Sequence, residues 1–336
     1  MITGLTYDDI LLIPSKSLES RHIPEVSTQL TRNHRIDIPI CSANMDTVTG
    51  SELAIAMGKY GGVGFLHRNN TIDENIQDIK DSIDGLSDVK GAKVVATVGT
   101  KTEEMDRVSR IIDETDVEII CVDIANAYND NIVKIIDHIK TMNKDIDIIA
   151  GNVASAPGAL FLASMNVDAI KVGIGPGSAC TTRLKTGFGV PQLTSIMMVN
   201  TGLRHHGYDI PVIGDGGLRY SGDIVKALWA GANTVMSGRW FAGCDESLHG
   251  LEYRGMATEE ARSLMKNVSL DVVEEGVAGT VEPSGSCHDI LRELVTGLKS
   301  GMSYAGCETI EELITNKDIT PIRQTQNGII ESNFRI

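Results

Sequence analysis

The sequence predicts an α/β chain folded as a (β/α)8 TIM barrel with a flap after its eighth strand. Three observations carry that prediction. Eight short apolar runs rich in Val and Ile recur along the chain. Amphipathic stretches with helical spacing lie between them. The sixth, seventh and eighth runs all end in glycine-rich turns, which a barrel gathers at its C-terminal, catalytic face.

Taken in order, the first run is 39–44 and leads into SANMDTVT, where Met45 reads as a core methionine. The second, 62–68, ends in His67 and Arg68, and Arg68 suits a phosphate. The third is 93–99. The fourth, 117–125, ends in Asp123, which either anchors a ribose or an amide or caps the next helix. The stretch 129–142 that follows has helical spacing, as does 220–230 after the seventh run. The fifth run is 147–153, the sixth 169–175, the seventh 210–217 and the eighth 233–240. Each is apolar on both faces, as a parallel strand covered by helices is. The pair His205-His206 reads as surface in a helix-to-strand connection. An open doubly wound sheet is the alternative to the barrel. The stretch 257–286 contains Glu274-Glu275 and the Gly- and Ser-rich VAGTVEPSGS, and reads as a flap or an ordinary surface excursion.

With 336 residues the chain has room for one barrel or two ordinary domains. Hydrophobic residues at 42% and charged residues at 22% exclude a disordered chain. A net charge of −15 argues against a nucleic-acid polymer as partner, which needs a basic face. No run approaches the ~18 apolar residues of a membrane span, and no signal peptide is visible, so a cytoplasmic protein is expected. Six cysteines are scattered without a CxxC pair and read as reduced thiols. Neither His nor Cys shows zinc-ligand spacing.

The most informative segment is KVGIGPGSACTTRLKTGFGVP, 171–191. Gly173, Gly175 and Gly177 let the backbone approach a ligand, and such a loop holds an anion on its amides or a cation on its carbonyls. Cys180 follows at once, flanked by Thr181, Thr182, Arg183 and Lys185. That polar, cationic setting favours a nucleophile over a buried structural cysteine. After the seventh run, Asp215 suits ribose hydroxyls and the Gly216 and Gly217 amides suit a phosphate. After the eighth, Ser237, Gly238 and Arg239 complete a phosphate cup, at the habitual phosphate site of this barrel. Two tight turns without ligand are the plain alternative.

These residues carry a resemblance. LTYDDILLIP (5–14), SANMDTVT (42–49), GIGPGSACTTR (173–183), KTGFGVPQ (185–192), DGGLRYSGD (215–223), YRGM (253–256) and EEGVAGTV (274–281) resemble the inosine monophosphate dehydrogenase/guanosine monophosphate reductase family. The resemblance spans nearly the whole chain. It implies a (β/α)8 barrel with a catalytic cysteine on the loop after strand 6. Dehydrogenases of the family usually carry paired regulatory CBS modules after strand 2. Here only 69–92 separates HRNN from the next strand, so one catalytic domain, 1–336, is expected.

Several features resemble the reductase branch. CVDIANAY is similar to its segment after strand 4, and Lys185 is similar to its residue at that position. Dehydrogenases activate water with an Arg-Tyr pair in the flap, whereas 257–275 contains Arg262 and no tyrosine. GFLHRNN, GDGGLRYSGD and EEGVAGTV resemble the dehydrogenases instead. The expected activity is NADPH-dependent conversion of GMP to IMP and ammonia, the alternative an IMP dehydrogenase without regulatory modules.

By resemblance, Cys180 forms the covalent adduct, and Thr182 and Glu275 move the proton as ammonia leaves. Ser178, Asp215, Gly216, Gly217, Gly238, Arg239, Tyr253, Gly255, Met256, Ala257 and Gly276 map onto the substrate nucleotide site. Arg68, Asp123, Ile124, Ala125, Ile174, Gly175 and Met256 map onto the dinucleotide site. Gly175, Gly177 and Cys180, with Arg183 nearby, map onto a monovalent cation site, K+ in this family. The reductases' Tyr-Arg before the flap glutamate is replaced by Asp271-Val272. Family members imply a homotetramer.

Overall fold

The structure is a computed structural model that describes residues 2–142, 145–263 and 273–332. All eight apolar runs form strands: β1 (Ile40–Ser42), β2 (Val63–Phe65), β3 (Val94–Val98), β4 (Ile119–Asp123), β5 (Asp147–Val153), β6 (Ala169–Val172), β7 (Val212–Asp215) and β8 (Thr234–Ser237). They pair in parallel, in sequence order, and β8 closes on β1. The chain is a (β/α)8 barrel, and the open sheet is excluded by that closure.

Each connection between successive strands carries one long helix: α1 (Ser51–Tyr60), α2 (Ile72–Gly85), α3 (Glu103–Glu114), α4 (Asn131–Thr141), α5 (Ala156–Ser164), α6 (Gln192–His205) and α7 (Ser221–Trp229), with a further short helical turn, Thr182–Thr186, ahead of α6. The last, α8 (Cys287–Ala305), follows the flap. Local chemistry starts several of them. Thr71 and Glu74 form a capping box on α2, Ser155 caps α5 with Pro157 in its first turn, and Ser286 caps α8. His205 belongs to α6 and His206 caps it, so the helix runs further than the sequence reading placed it. Helix seating can be close. A Cβ on Gly64 of β2 would lie 2.6 Å from Ala54 Cα of α1, so only glycine lets that helix pack there.

Alternation along the strands divides their side chains between the helix layer and the barrel interior. Cys41, Val63, Phe65, Val95, Ile119, Cys121, Ile149, Ala169, Ile213 and Met236 fill the interior as one apolar cluster. Leu30 and Ile36 join it from the short antiparallel pair Thr28–Gln29 and Arg35–Ile36. Two residues beyond Cys121, Ala169 and Ile213 stand Asp123, Lys171 and Asp215. The same alternation therefore puts a polar layer on top of the apolar one.

After β8 the chain forms β9 (Glu252–Arg254), which pairs antiparallel with β10 (Ala278–Thr280). This ladder carries the two feet of the expected flap. Within the expected 257–286, residues 264–272 lie outside the described residues, Asp271 and Val272 among them, and nothing is described of the Arg262 side chain.

Candidate active site

The loop after β6 holds Cys180 half-buried, its Sγ 3.2 Å from Thr182 Oγ1. The other five cysteines are buried. A strand-like segment of the flap lies antiparallel across this loop. Cys180 bridges Gly276, the Thr181 N–H donates to the Glu275 carbonyl at 2.8 Å, and the Val277 N–H donates to the Ala179 carbonyl at 2.9 Å. The Gly255 N–H donates in turn to the Val277 carbonyl at 3.1 Å. Cys180, Thr182, Glu275, Gly276, Gly255, Met256 and Ala257 are thus brought to one place, although they come from two distant stretches.

Gly216 and Gly217 follow β7 with φ of 88° and 79°, a conformation that glycine adopts without strain. The turn aims the chain past Pro176 and Gly177, toward which a Cβ on Gly216 would point. Gly238 follows β8, where a Cβ would collide with Met45 Sδ. Met45 is partly buried and packs against both apolar clusters, as its sequence suggested, while its Sδ also borders Gly238. Arg239 is exposed, its guanidinium 5.9 Å from the Tyr253 ring centre. The Tyr253 hydroxyl lies 3.1 Å from Ser178 Oγ. Burial raises the Tyr253 phenol above its ordinary pKa, so it remains a neutral donor and acceptor. Ser178, Arg239 and Tyr253 therefore form a second group beside Gly238.

Asp123 ends β4, and its side chain does not cap a helix. Its Oδ2 accepts from Asn44 Nδ2 at 2.6 Å and its Oδ1 is 3.0 Å from Lys171 Nζ. Burial works to raise its pKa, but Lys171 and the Asn44 amide outweigh it and hold the carboxyl below the ordinary value. Asp215 Oδ2 accepts from the same Nζ at 2.7 Å and from Asn152 Nδ2 at 2.9 Å. Ile124 and Ala125 continue the rim beyond Asp123, and Ile124 exchanges backbone hydrogen bonds with Gly151 and Asn152. Arg68 follows β2, its guanidinium against Gly99 at the end of β3 and within electrostatic reach of Asp123. His67 is buried, which pushes its pKa down to about 4 and leaves it neutral. Its Nδ1 accepts from the Asn69 N–H at 3.1 Å.

Ile174 and Gly175 lead from β6 into the Cys180 loop, where the Ile174 carbonyl accepts from the Val190 N–H at 3.2 Å. Arg183 donates to the Val190 carbonyl at 2.6 Å and packs under Gly175. The Gly177 carbonyl accepts the Cys180 N–H at 3.1 Å, which leaves it one lone pair. Among the described residues no group of three His, Cys, Asp or Glu could hold a metal ion. Any cation here would depend on carbonyl oxygens.

Lys171, Asn44 and Asn152 were missing from the sequence reading. The available signal was Lys171 itself, a charge inside the otherwise apolar AIKV of a buried strand. A second missed element is the Arg254–Asp46 pair. Arg254 on β9 reaches Asp46 Oδ2 with Nη2 at 2.7 Å and Nε at 3.2 Å, both residues buried. It fixes the foot of the flap to the loop after β1, directly before Gly255 and Met256.

The IMP dehydrogenase/GMP reductase domain matches residues 4–335 of the chain. Inosine-5′-monophosphate dehydrogenase of Borreliella burgdorferi is 35% identical over 382 residues, covering 95% of this chain and 94% of that protein. The Cryptosporidium parvum protein of the same name is 35% identical over 389 residues, covering 98% and 94%. GMP reductase from Trypanosoma brucei, solved in complex with guanosine 5′-monophosphate, superposes with a TM-score of 0.88 at 29% identity, covering 99% of this chain and 98% of that one. With eight closed strands, a cysteine loop after the sixth and a family match from end to end, this chain belongs to the IMP dehydrogenase/GMP reductase family of oxidoreductases.

Proposed function

We propose that the chain is a GMP reductase, converting GMP to IMP and ammonia at the expense of NADPH. One observation carries the reading. Cys180 and Thr182 are in contact at 3.2 Å with the Glu275 segment laid against them, while no tyrosine stands in 257–275 to pair with Arg262. That is a thiol with the backbone of a glutamate-bearing segment hydrogen-bonded beside it, in a chain without the family's water-activating pair.

In this reading the Cys180 thiolate adds to C2 of the guanine ring. The C2–N2 bond breaks once Glu275, through Thr182, has delivered a proton, so nitrogen departs as ammonia. A nicotinamide cofactor bound beside C2 would supply the hydride, and the C–S bond would then break to release IMP and the Cys180 thiolate. Asp215 holds the ribose hydroxyls, and the Gly216, Gly217, Gly238 and Arg239 group holds the phosphate. Ser178 and Tyr253 close that end, and Gly255, Met256, Ala257 and Gly276 lie along the base. Asp123, Ile124, Ala125, Arg68, Ile174 and Gly175 face the dinucleotide. The Gly175, Gly177 and Cys180 carbonyls are hard oxygen donors of the kind that suit K+, with Arg183 bracing their loop.

The reading also takes the chain as one catalytic domain without inserted modules. In support, α2 alone connects β2 to β3, and the alignment with the Aquifex aeolicus relative runs over 449 residues against 336 here. A homotetramer remains the expected assembly.

The second reading is an IMP dehydrogenase. It is favoured by the names of the curated relatives and by the dehydrogenase-like EEGVAGTV. One assay separates the two. With GMP and NADPH the purified protein should oxidise the cofactor and release ammonia in equal amount. With IMP and NAD it should give little steady-state xanthosine monophosphate. Robust xanthosine monophosphate production would sink the reductase reading.

A further inference from the structure

Lys171 is 2% exposed, and it sits where two strands' carboxylates converge. Its Nζ lies 3.0 Å from Asp123 Oδ1 and 2.7 Å from Asp215 Oδ2. The strand register explains how it reaches both. Asp123 of β4 pairs with Gly151 of β5, and Gly151 pairs with Lys171 of β6. Gly151 has no side chain to stand between them, and a Cβ there would lie 2.6 Å from Lys171 Cβ. Asp215 is on the adjoining strand β7, which pairs with β6 through Ile213 and Lys171. Asn44 donates to the other oxygen of Asp123, and Asn152 donates to the same Asp215 Oδ2 that the ammonium contacts, so both carboxylates are pinned beside Lys171.

We infer that Lys171 is a positioning residue whose one ammonium serves both carboxylates, holding the ribose anchor Asp215 and the dinucleotide anchor Asp123 at fixed spacing. The inference rests on the proposed reading that Asp215 accepts from the substrate ribose. Two carboxylate oxygens within hydrogen-bond reach of one nitrogen are within about 6 Å of each other, where like charges raise one pKa strongly. Without the ammonium, one of the pair takes up a proton, and a protonated carboxyl is a poorer acceptor for a ribose hydroxyl.

The other titratable groups facing the triad do not blur this effect. Burial pushes the Cys41 thiol up to about 12 and raises Cys121 and Tyr7 as well, so all three stay neutral near neutrality. Arg68, which faces Asp123, is a guanidinium and keeps its charge.

The test measures IMP binding by calorimetry from about pH 5.5 to about 8.5 on the intact protein. IMP is substrate in one reading and product in the other, so it binds in both. Dividing each variant's dissociation constant by the native value at the same pH cancels titration of the IMP phosphate. For Lys171→Met that ratio should grow about tenfold as pH falls, one pKa unit's worth of titration. For Lys171→Arg, and for Lys171→Met with Asp123→Asn, it should stay level. A purely structural role would weaken binding equally at every pH, so a level Lys171→Met ratio overturns the inference. Should Lys171→Met not fold, Lys171→Gln carries the same expectation and the same refutation. Native protein that binds no IMP at any pH removes the ribose reading, and this inference with it.

Discussion

Replacing Cys180 with alanine should reduce turnover of GMP by about 10⁴-fold or more, the scale on which removing a covalent nucleophile acts. The variant should still bind GMP within about threefold of native, because so small a difference is under 1 kcal/mol. The reason lies in how the barrel divides the work. The phosphate, ribose and base groups of the proposed site come from the turns after β7 and β8 and from the flap feet, not from the thiol. Steady-state kinetics and calorimetry on the same preparation check both halves. A loss smaller than about tenfold would mean that the covalent route is wrong, since the other five thiols are buried. Loss of binding together with turnover would instead mean that the loop, not the thiol, had been damaged.

The second expected result concerns Glu275. Glu275→Gln keeps the size and removes the ionisable group, so turnover should fall about 10²–10⁴-fold with binding retained. Its neighbour provides the control. On an extended segment adjacent side chains point to opposite sides. Glu274 is exposed, and its Oε1 accepts from the Glu259 N–H at 3.1 Å. Glu275 is held by the Thr181 N–H on its carbonyl and by the Ala257 carbonyl, which accepts from its N–H at 3.3 Å. Glu274→Gln should therefore be nearly silent. The reverse pattern would shift the proton relay to Glu274. Silence in both would end it elsewhere and leave the flap as a cover alone.

The barrel was legible because each strand is a compact apolar run, and every predicted run contains its strand. The observed strands are shorter at most ends because the last residues of each run, such as His67-Arg68 or Gly216-Gly217, turn into the next helix. The Cys180 loop was legible for the opposite reason, since its glycines and polar residues interrupt the apolar pattern. Lys171 was not. In sequence it is one charge in a strand, and Asp215 stands 44 residues away. Only closure of the sheet around an interior too narrow for independent charges makes the three residues a unit. Asp46 and Arg254, separated by 208 residues, were hidden in the same way. Met45 was read as a core residue and packs against the core, but that it also borders Gly238 shows only once the turn after β8 is in place.

The burial of five thiols beside one half-buried Cys180 has a practical meaning. Toward a thiol reagent, the folded chain presents a single address. Burial also raises Cys41, Cys121, Cys244, Cys287 and Cys307 out of the thiolate range, which sets them further apart in reactivity. A fluorescent or isotopic tag can thus be placed beside the candidate site without engineering any other cysteine away, and the native sequence becomes its own reporter of ligand occupancy.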